Sequence, residues 1–191
     1  MNDIIAIKNI PENVAAAMED ITEYKCRLHH ITVGHIHPWD GGYLCGNGYT
    51  ASYEDYCADL EDMMRIFYDI ACSFGMNETE VYPFDNCFFE HWQDVMDNDI
   101  ARDIYSAFGE NEIDPESGCG IRLNVYNDLT KLLISGAFNY LIKCAFLIGE
   151  AVIIPTHNFE FYMYPCSEQS REKIRESISR CSFVKFHEEG C

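Results

Sequence analysis

The spacing of apolar residues along the chain predicts its elements in turn. Residues 3–8 (DIIAIK) read as a short strand. Asn9 or Ile10 leads into a helix running to about Tyr24, with Pro11 and Glu12 in its first turn, where a fixed φ and a negative charge are both favoured. Its apolar residues Val14, Ala17, Met18 and Ile21 fall at helical spacing. Residues 26–33 (CRLHHITV) read as a second strand, so the opening resembles a compact βαβ or split-βαβ unit. The strongest helical signal follows Ser52, which with Asp55 three residues on makes an N-terminal cap. Tyr53, Tyr56, Leu60, Met63, Phe67, Ile70 and Phe74 then form one apolar stripe, and Gly75 is a natural stop.

Beyond it, a second acidic helical region is predicted over about 86–108, and the turn-rich NEIDPESGCG closes it. Residues 121–126 read as a short strand, after which Asn127 or Asp128 caps a largely buried helix to about Leu147. EAVII (150–154) and FEFYMY (159–164) form a hairpin across Pro155–Asn158. Ser167 caps a polar helix, EQSREKIRESISR, and SFVKF (182–186) is the last strand. No internal repeat interrupts this order. The expectation is one α+β domain over residues 1–191, its mostly antiparallel sheet formed from both termini, with an acidic helical insertion at about 40–116.

Charge changes the picture most. Between Asp40 and Glu116 there are nineteen acidic residues and two basic ones, Arg65 and Arg102, so this stretch holds −17 of a total −19. The flanks are nearly balanced, with five acids against three bases in 1–39 and eight against eight in 117–191. Such a field repels nucleic acid and anionic membranes and attracts cations or basic protein surfaces. With 48% hydrophobic and 14% aromatic residues the chain buries a core, so the acids sit on ordered elements and not on a disordered tail. Asp55, Asp59 and Asp62 fall at i, i+4 and i+7, one line along a helix, and Asp94, Asp97, Asp99 and Asp103 repeat the theme. Four helical residues rise about 6 Å, close to the phosphate spacing of a nucleic-acid strand. Such a row suits a groove lined with Lys and Arg.

The remaining chemistry is sparse. Ten cysteines are spread with no two closer than ten residues, so no CxxC pair marks zinc or redox chemistry, and they read as free thiols of a cytoplasmic protein. The N-terminus has neither the basic nor the apolar region of an export signal, and no apolar run is long enough to span a bilayer. His35 and His37 on an extended segment would put both rings on one side, where Asp40 or Cys45 could complete a tetrahedral metal site. A histidine beside the His37-Pro38-Trp39 turn can equally pack and hydrogen-bond. Gly46-Asn47-Gly48-Tyr49-Thr50-Ala51 matches GxGxxA, but lacks an adjoining strand and meets Glu54 and Asp55 where a pyrophosphate would sit. There is no GxSxG elbow and no HExxH, so no catalytic residue and no cofactor is indicated.

At class level, the acidic stretch from Asp40 to Glu116 and the small α+β plan resemble bacterial and phage inhibitor proteins. These include DNA-mimicking anti-restriction and anti-CRISPR proteins and immunity proteins that neutralise nuclease toxins. The resemblance covers 77 residues, rests on charge and size, and carries over no individual residue. It implies a non-enzymatic inhibitor that blocks the basic surface of a nuclease or other nucleic-acid-binding protein, without binding nucleic acid or membrane itself. The expected contact residues are Asp55, Asp59, Asp62, Asp69, Asp94, Asp97, Asp99 and Asp103, with Trp39, Tyr49 and Tyr53 as apolar anchors. A metal-dependent hydrolase built on His35, His37, Asp40 and Cys45 is the alternative.

Overall fold

The computed structural model describes residues 5–23, 27–39, 52–84, 99–110 and 120–189. Among these the elements run β1 (Ile5–Ile7), α1 (Glu12–Thr22), β2 (His30–His35), α2 (Tyr53–Ser73), β3 (Glu78–Pro83) and α3 (Asp99–Glu110). Then come β4 (Gly120–Asn124), α4 (Asp128–Phe138), β5 (Cys144–Ile148), β6 (Ala151–Thr156), β7 (Glu160–Pro165), α5 (Glu168–Ser179) and β8 (Val184–Glu189). The strands form one eight-stranded sheet in the order β1-β4-β3-β5-β6-β7-β2-β8. Every neighbouring pair is antiparallel. The fold is α+β, with strands from both termini, as expected.

Period-two alternation splits the sheet into two chemically different faces. Ile31 and Val33 of β2, Phe146 and Ile148 of β5, and Phe161 and Met163 of β7 enter the main core. That core is closed by α2 through Met63, Phe67 and Ile70, by α4 through Leu133 and Phe138, by Ile104 of α3, and by Ile174 and Ile178 of α5. The intervening residues Ala145, Val152, Ile154 and Tyr164 face the other way. They pack with Tyr82 against Val14 and Ala17 of α1. Among the described residues, one side of the sheet thus carries four helices and the other a helix of 11 residues.

Local chemistry sets the ends of α2. Ser52 Oγ accepts from the Asp55 amide at 3.1 Å and the Asp55 carboxylate accepts from the Ser52 amide at 2.8 Å, a complete capping box. Past the far end Gly75 takes φ 70°, a conformation that costs a glycine nothing.

Three differences from the sequence reading are informative. The predicted helix to about Leu147 ends at Phe138 and is followed by β5. The Leu141 amide reaches the Gly136 carbonyl at 2.8 Å and the Tyr140 amide the Ala137 carbonyl at 3.3 Å, with Tyr140 at φ 63°. This is a Schellman stop without glycine. Tyr140 bears a strain of about 1–2 kcal/mol in that region, and its ring stacks on His157 at 3.9 Å. The second difference is β3, unpredicted because ETEVYP is acidic and ends in proline, yet hydrogen-bonded on both sides to β4 and β5. It lies within 40–116, so that stretch supplies an interior strand as well as helices. Third, β1 and β2 stand six places apart in the sheet and form no βαβ unit. The predicted helix over 86–108 is described only from Asp99, where α3 begins.

The close approach of β4 to β3 rests on Gly120, where an added Cβ would sit 2.4 Å from the Tyr82 ring. That ring is anchored by its hydroxyl, which donates to Glu80 Oε2 at 2.6 Å. Gly120→Ala is therefore expected to lower unfolding free energy by about 1–3 kcal/mol in a denaturant titration. Gly109→Ala on α3, where the methyl meets nothing within 4 Å, should raise it by about 0.5–1 kcal/mol.

Candidate functional site

Titratable groups converge where β2 leaves the sheet and meets the first half of α2. His35 continues the inward row of Ile31 and Val33, so its ring lies under the four-helix face and is only 3% exposed. His37 and Trp39 follow on the turn. Trp39 packs edge-on to Tyr56 at 5.6 Å and against Phe159 at 5.5 Å, and is 4% exposed. Asp59, one and a half turns into α2, points to the same place and is 5% exposed.

Asp59 Oδ2 is the centre of the cluster. It accepts from Trp39 Nε1 at 2.7 Å and pairs with His37 Nδ1 at 2.6 Å. His35 Nδ1 lies 3.4 Å away and accepts the His37 amide at 3.1 Å. With that lone pair engaged, the His35 proton sits on Nε2, which is buried without a hydrogen-bond partner. The nearest carboxylate oxygen, Asp62 Oδ2, is 3.6 Å from it. Burial pushes the His35 pKa down, opposed by the Asp59 carboxylate. A second buried network continues inward. Tyr56 Oη meets Ser135 Oγ at 2.7 Å and accepts from Asn139 Nδ2 at 2.7 Å, joining α2 to α4, and burial pushes the Tyr56 hydroxyl up to about 12.

Among the described residues, His35, His37 and Asp59 are the group that could hold a metal ion, their ligand atoms lying within 4.8 Å of one another. Two ligands on a tetrahedral zinc, each about 2.0–2.1 Å from the metal, stand roughly 3.3 Å apart. The 2.6 Å between His37 Nδ1 and Asp59 Oδ2 is instead a charge-assisted hydrogen bond. The arrangement works as a pin: one buried carboxylate fixes the turn after β2 onto α2. A carboxylate orienting an imidazole also serves general bases, but the cavity lined by His30, Tyr162 and Tyr164 opens on the other face of the sheet, away from His37. Asp40 and Cys45, the other expected ligands, and the GxGxxA segment lie outside the described residues.

The structure redistributes the expected partner contacts. Asp59 and Trp39 are interior, held by each other, and cannot meet a partner. Asp55 is exposed but spent on the helix cap, and its hydrogen bonds to Ser52 lower its pKa. Asp62 is half-buried and bound to Arg65 at 3.2 Å. Of the expected row, Asp59 and Asp62 therefore face His35 of β2, whereas Asp55 stays at the exposed start of the helix. Asp69, Asp103 and Tyr53 are exposed, and Asp99 is exposed but paired with Arg102. Asp94, Asp97 and Tyr49 lie outside the described residues. Glu54, not among the expected contact residues, shares the outward stripe of α2 with Glu61 and Asp69.

No protein-family model, curated protein or solved structure significantly matches the chain. No helix among the described residues is long and apolar enough to cross a membrane.

Removing the pin leaves the Trp39 indole and the His37 ring without their acceptor. Asp59→Ala is expected to cost about 3 kcal/mol in unfolding free energy. Because the His35 pKa is depressed in the folded protein, its contribution is present above the ordinary histidine value of 6.5 and is lost as pH falls below it. Stability measured from pH 7.5 to 5.5 should therefore fall less steeply in His35→Gln than in the unmodified protein.

Proposed function

We propose that this protein is a non-enzymatic acidic inhibitor that docks the outward faces of α2 and α3 on the basic, nucleic-acid-binding surface of another protein, such as a nuclease. The observation that carries this reading is a division of labour among the acids. Asp55, Asp59 and Asp62 are spent on the fold, whereas Glu54, Asp69 and Asp103 are exposed with no ion pair among the described residues. They stand in a stretch of net −17, on rigid helices. Unneutralised carboxylates held this way steer a cationic surface and pair with its Arg and Lys. Tyr53, 59% exposed at the start of α2, and Tyr105, 51% exposed on α3, supply aromatic anchors of the kind that concentrate interface energy.

Affinity capture from the native host at about 0.05 M and about 0.5 M salt tests the reading, since the screening length falls to a few ångströms at the higher value. A nucleic-acid-binding protein should be retained at low salt and released at high salt. Combined Glu54→Lys, Asp69→Lys and Asp103→Lys substitution should remove it while helical circular dichroism is kept. A partner that stays bound to the reversed variant at low salt contradicts the proposal.

A further inference from the structure

The two ends of the sheet are unequal. β1 closes one end with three residues, whereas β8 presents six at the other. β8 is hydrogen-bonded to β2 along one side, and its residues from Lys185 to Glu189 are all exposed. Among the described residues no backbone hydrogen bond reaches its outer side. Such an edge is a template for a further strand unless its side chains forbid one. The positions of its charges therefore decide what it can accept.

The ladder with β2 sorts these side chains by face. Lys185, His187 and Glu189 stand opposite Gly34, Thr32 and His30, on the side that carries α1. Phe186 and Glu188 stand opposite Val33 and Ile31, on the side that carries α2. Glu188 is held by Arg175 of α5 at 2.6 and 2.8 Å, and the Phe186 ring lies exposed. Lys185 leans over Gly34 toward Glu160 but forms no ion pair among the described residues. Glu189 meets His187 Nε2 at 2.9 Å and His30 Nε2 at 3.8 Å, with its side chain still half exposed.

We propose that a second copy of this chain adds to β8, forming a two-fold dimer with His187 on the axis and one antiparallel sheet running through both copies. A two-fold axis between antiparallel edge strands stands normal to the sheet, so each face continues into the same face of the other copy. With the axis at His187, Lys185 of each copy stands opposite Glu189 of the other, giving two opposite-charge pairs of the kind that stabilise neighbouring strands. Phe186 then stands opposite Glu188, and the two Phe186 rings become diagonal neighbours within reach of one another. Sliding the copies by two residues spoils this match. One direction sets Glu188 against Glu188, and the other sets Lys185 against His187 and Glu189 against Phe183. Residues 117–191 hold eight acids and eight bases, so the joint falls in the balanced part of the chain, outside the stretch of net −17. The dimer does not rest on the acidic docking reading.

Sedimentation equilibrium of the full chain, over a series from micromolar to millimolar concentration, tests this directly. The mass should rise from one chain to two and stop there, because a two-fold interface closes on itself. Lys185→Glu and Glu189→Lys each set like charges opposite one another at both contacts, and each should weaken association by about tenfold or more. Mixed in equal amounts, the two variants bring opposite charges together at both contacts and should form a heterodimer tighter than either variant alone. Circular dichroism of each variant should match the unmodified protein, and the mixture separates lost pairing from lost folding. A chain that stays monomeric throughout the series, an assembly that grows beyond two, or a mixture no more associated than its components would overturn the proposal.

Discussion

A carboxylate buried in a protein must be paired, and the way Asp59 is paired organises one side of this molecule. Its single oxygen Oδ2 gathers the indole of Trp39 and the imidazole of His37, both on the turn after β2, onto a helix that begins more than a dozen residues later. The cost of taking that charge out of water is offset only while both donors are present. Trp39 is thereby seated against Tyr56 and Phe159, and Tyr56 in turn reaches Ser135 of α4 and Asn139, which caps its end. One interaction carries through from the end of β2 to α2 and α4 above it.

The same economy explains why the acids of α2 differ so much in role. Along the helix, 3.6 residues per turn sends Asp59 inward, Asp62 to the seam beside His35, and Glu54, Glu61 and Asp69 outward. Glu61 is bound by Lys131 of α4, and Asp99 of α3 by Arg102. What remains unneutralised is a smaller set than the sequence total suggests, but it is placed on the outer surface of well-packed helices. The sheet meanwhile separates two chemistries. Asp59 and Asp62 lie over the face that carries α2, and a cavity lined by His30, Tyr162 and Tyr164 opens on the face that carries α1.

Much of the fold was legible. The capping box at Ser52, the stripe of α2, the β6–β7 hairpin and the helix after Ser167 all follow from local signals that the structure reproduces. The α4–β5 boundary was not legible, because AFNYLIKCAFLI is apolar throughout and a buried central strand then reads like a buried helix. Its stop lies in a left-handed tyrosine, where glycine would have announced it. β3 hid behind two glutamates that face the α1 side or solvent at the end of the ladder, and one of them is neutralised across the strands by Arg122 at 2.7 Å. For the site, His35 and His37 were found from sequence, but Asp59 was assigned outward. Nothing in an i, i+4, i+7 row says which way it turns. The pairing of His30 with Glu189 depends on strand order, which spacing along the chain does not contain.

Outward carboxylates kept for recognition are held at some expense to stability. The unfolding free energy of a Glu54→Gln, Asp69→Asn, Asp103→Asn triple variant, compared with the unmodified protein at low ionic strength, tests this most directly. Neutralising groups that only repel one another should leave the protein as stable or more so, with the difference shrinking as salt is added. A clear loss of stability would mean that these acids, like Asp59, belong to the fold.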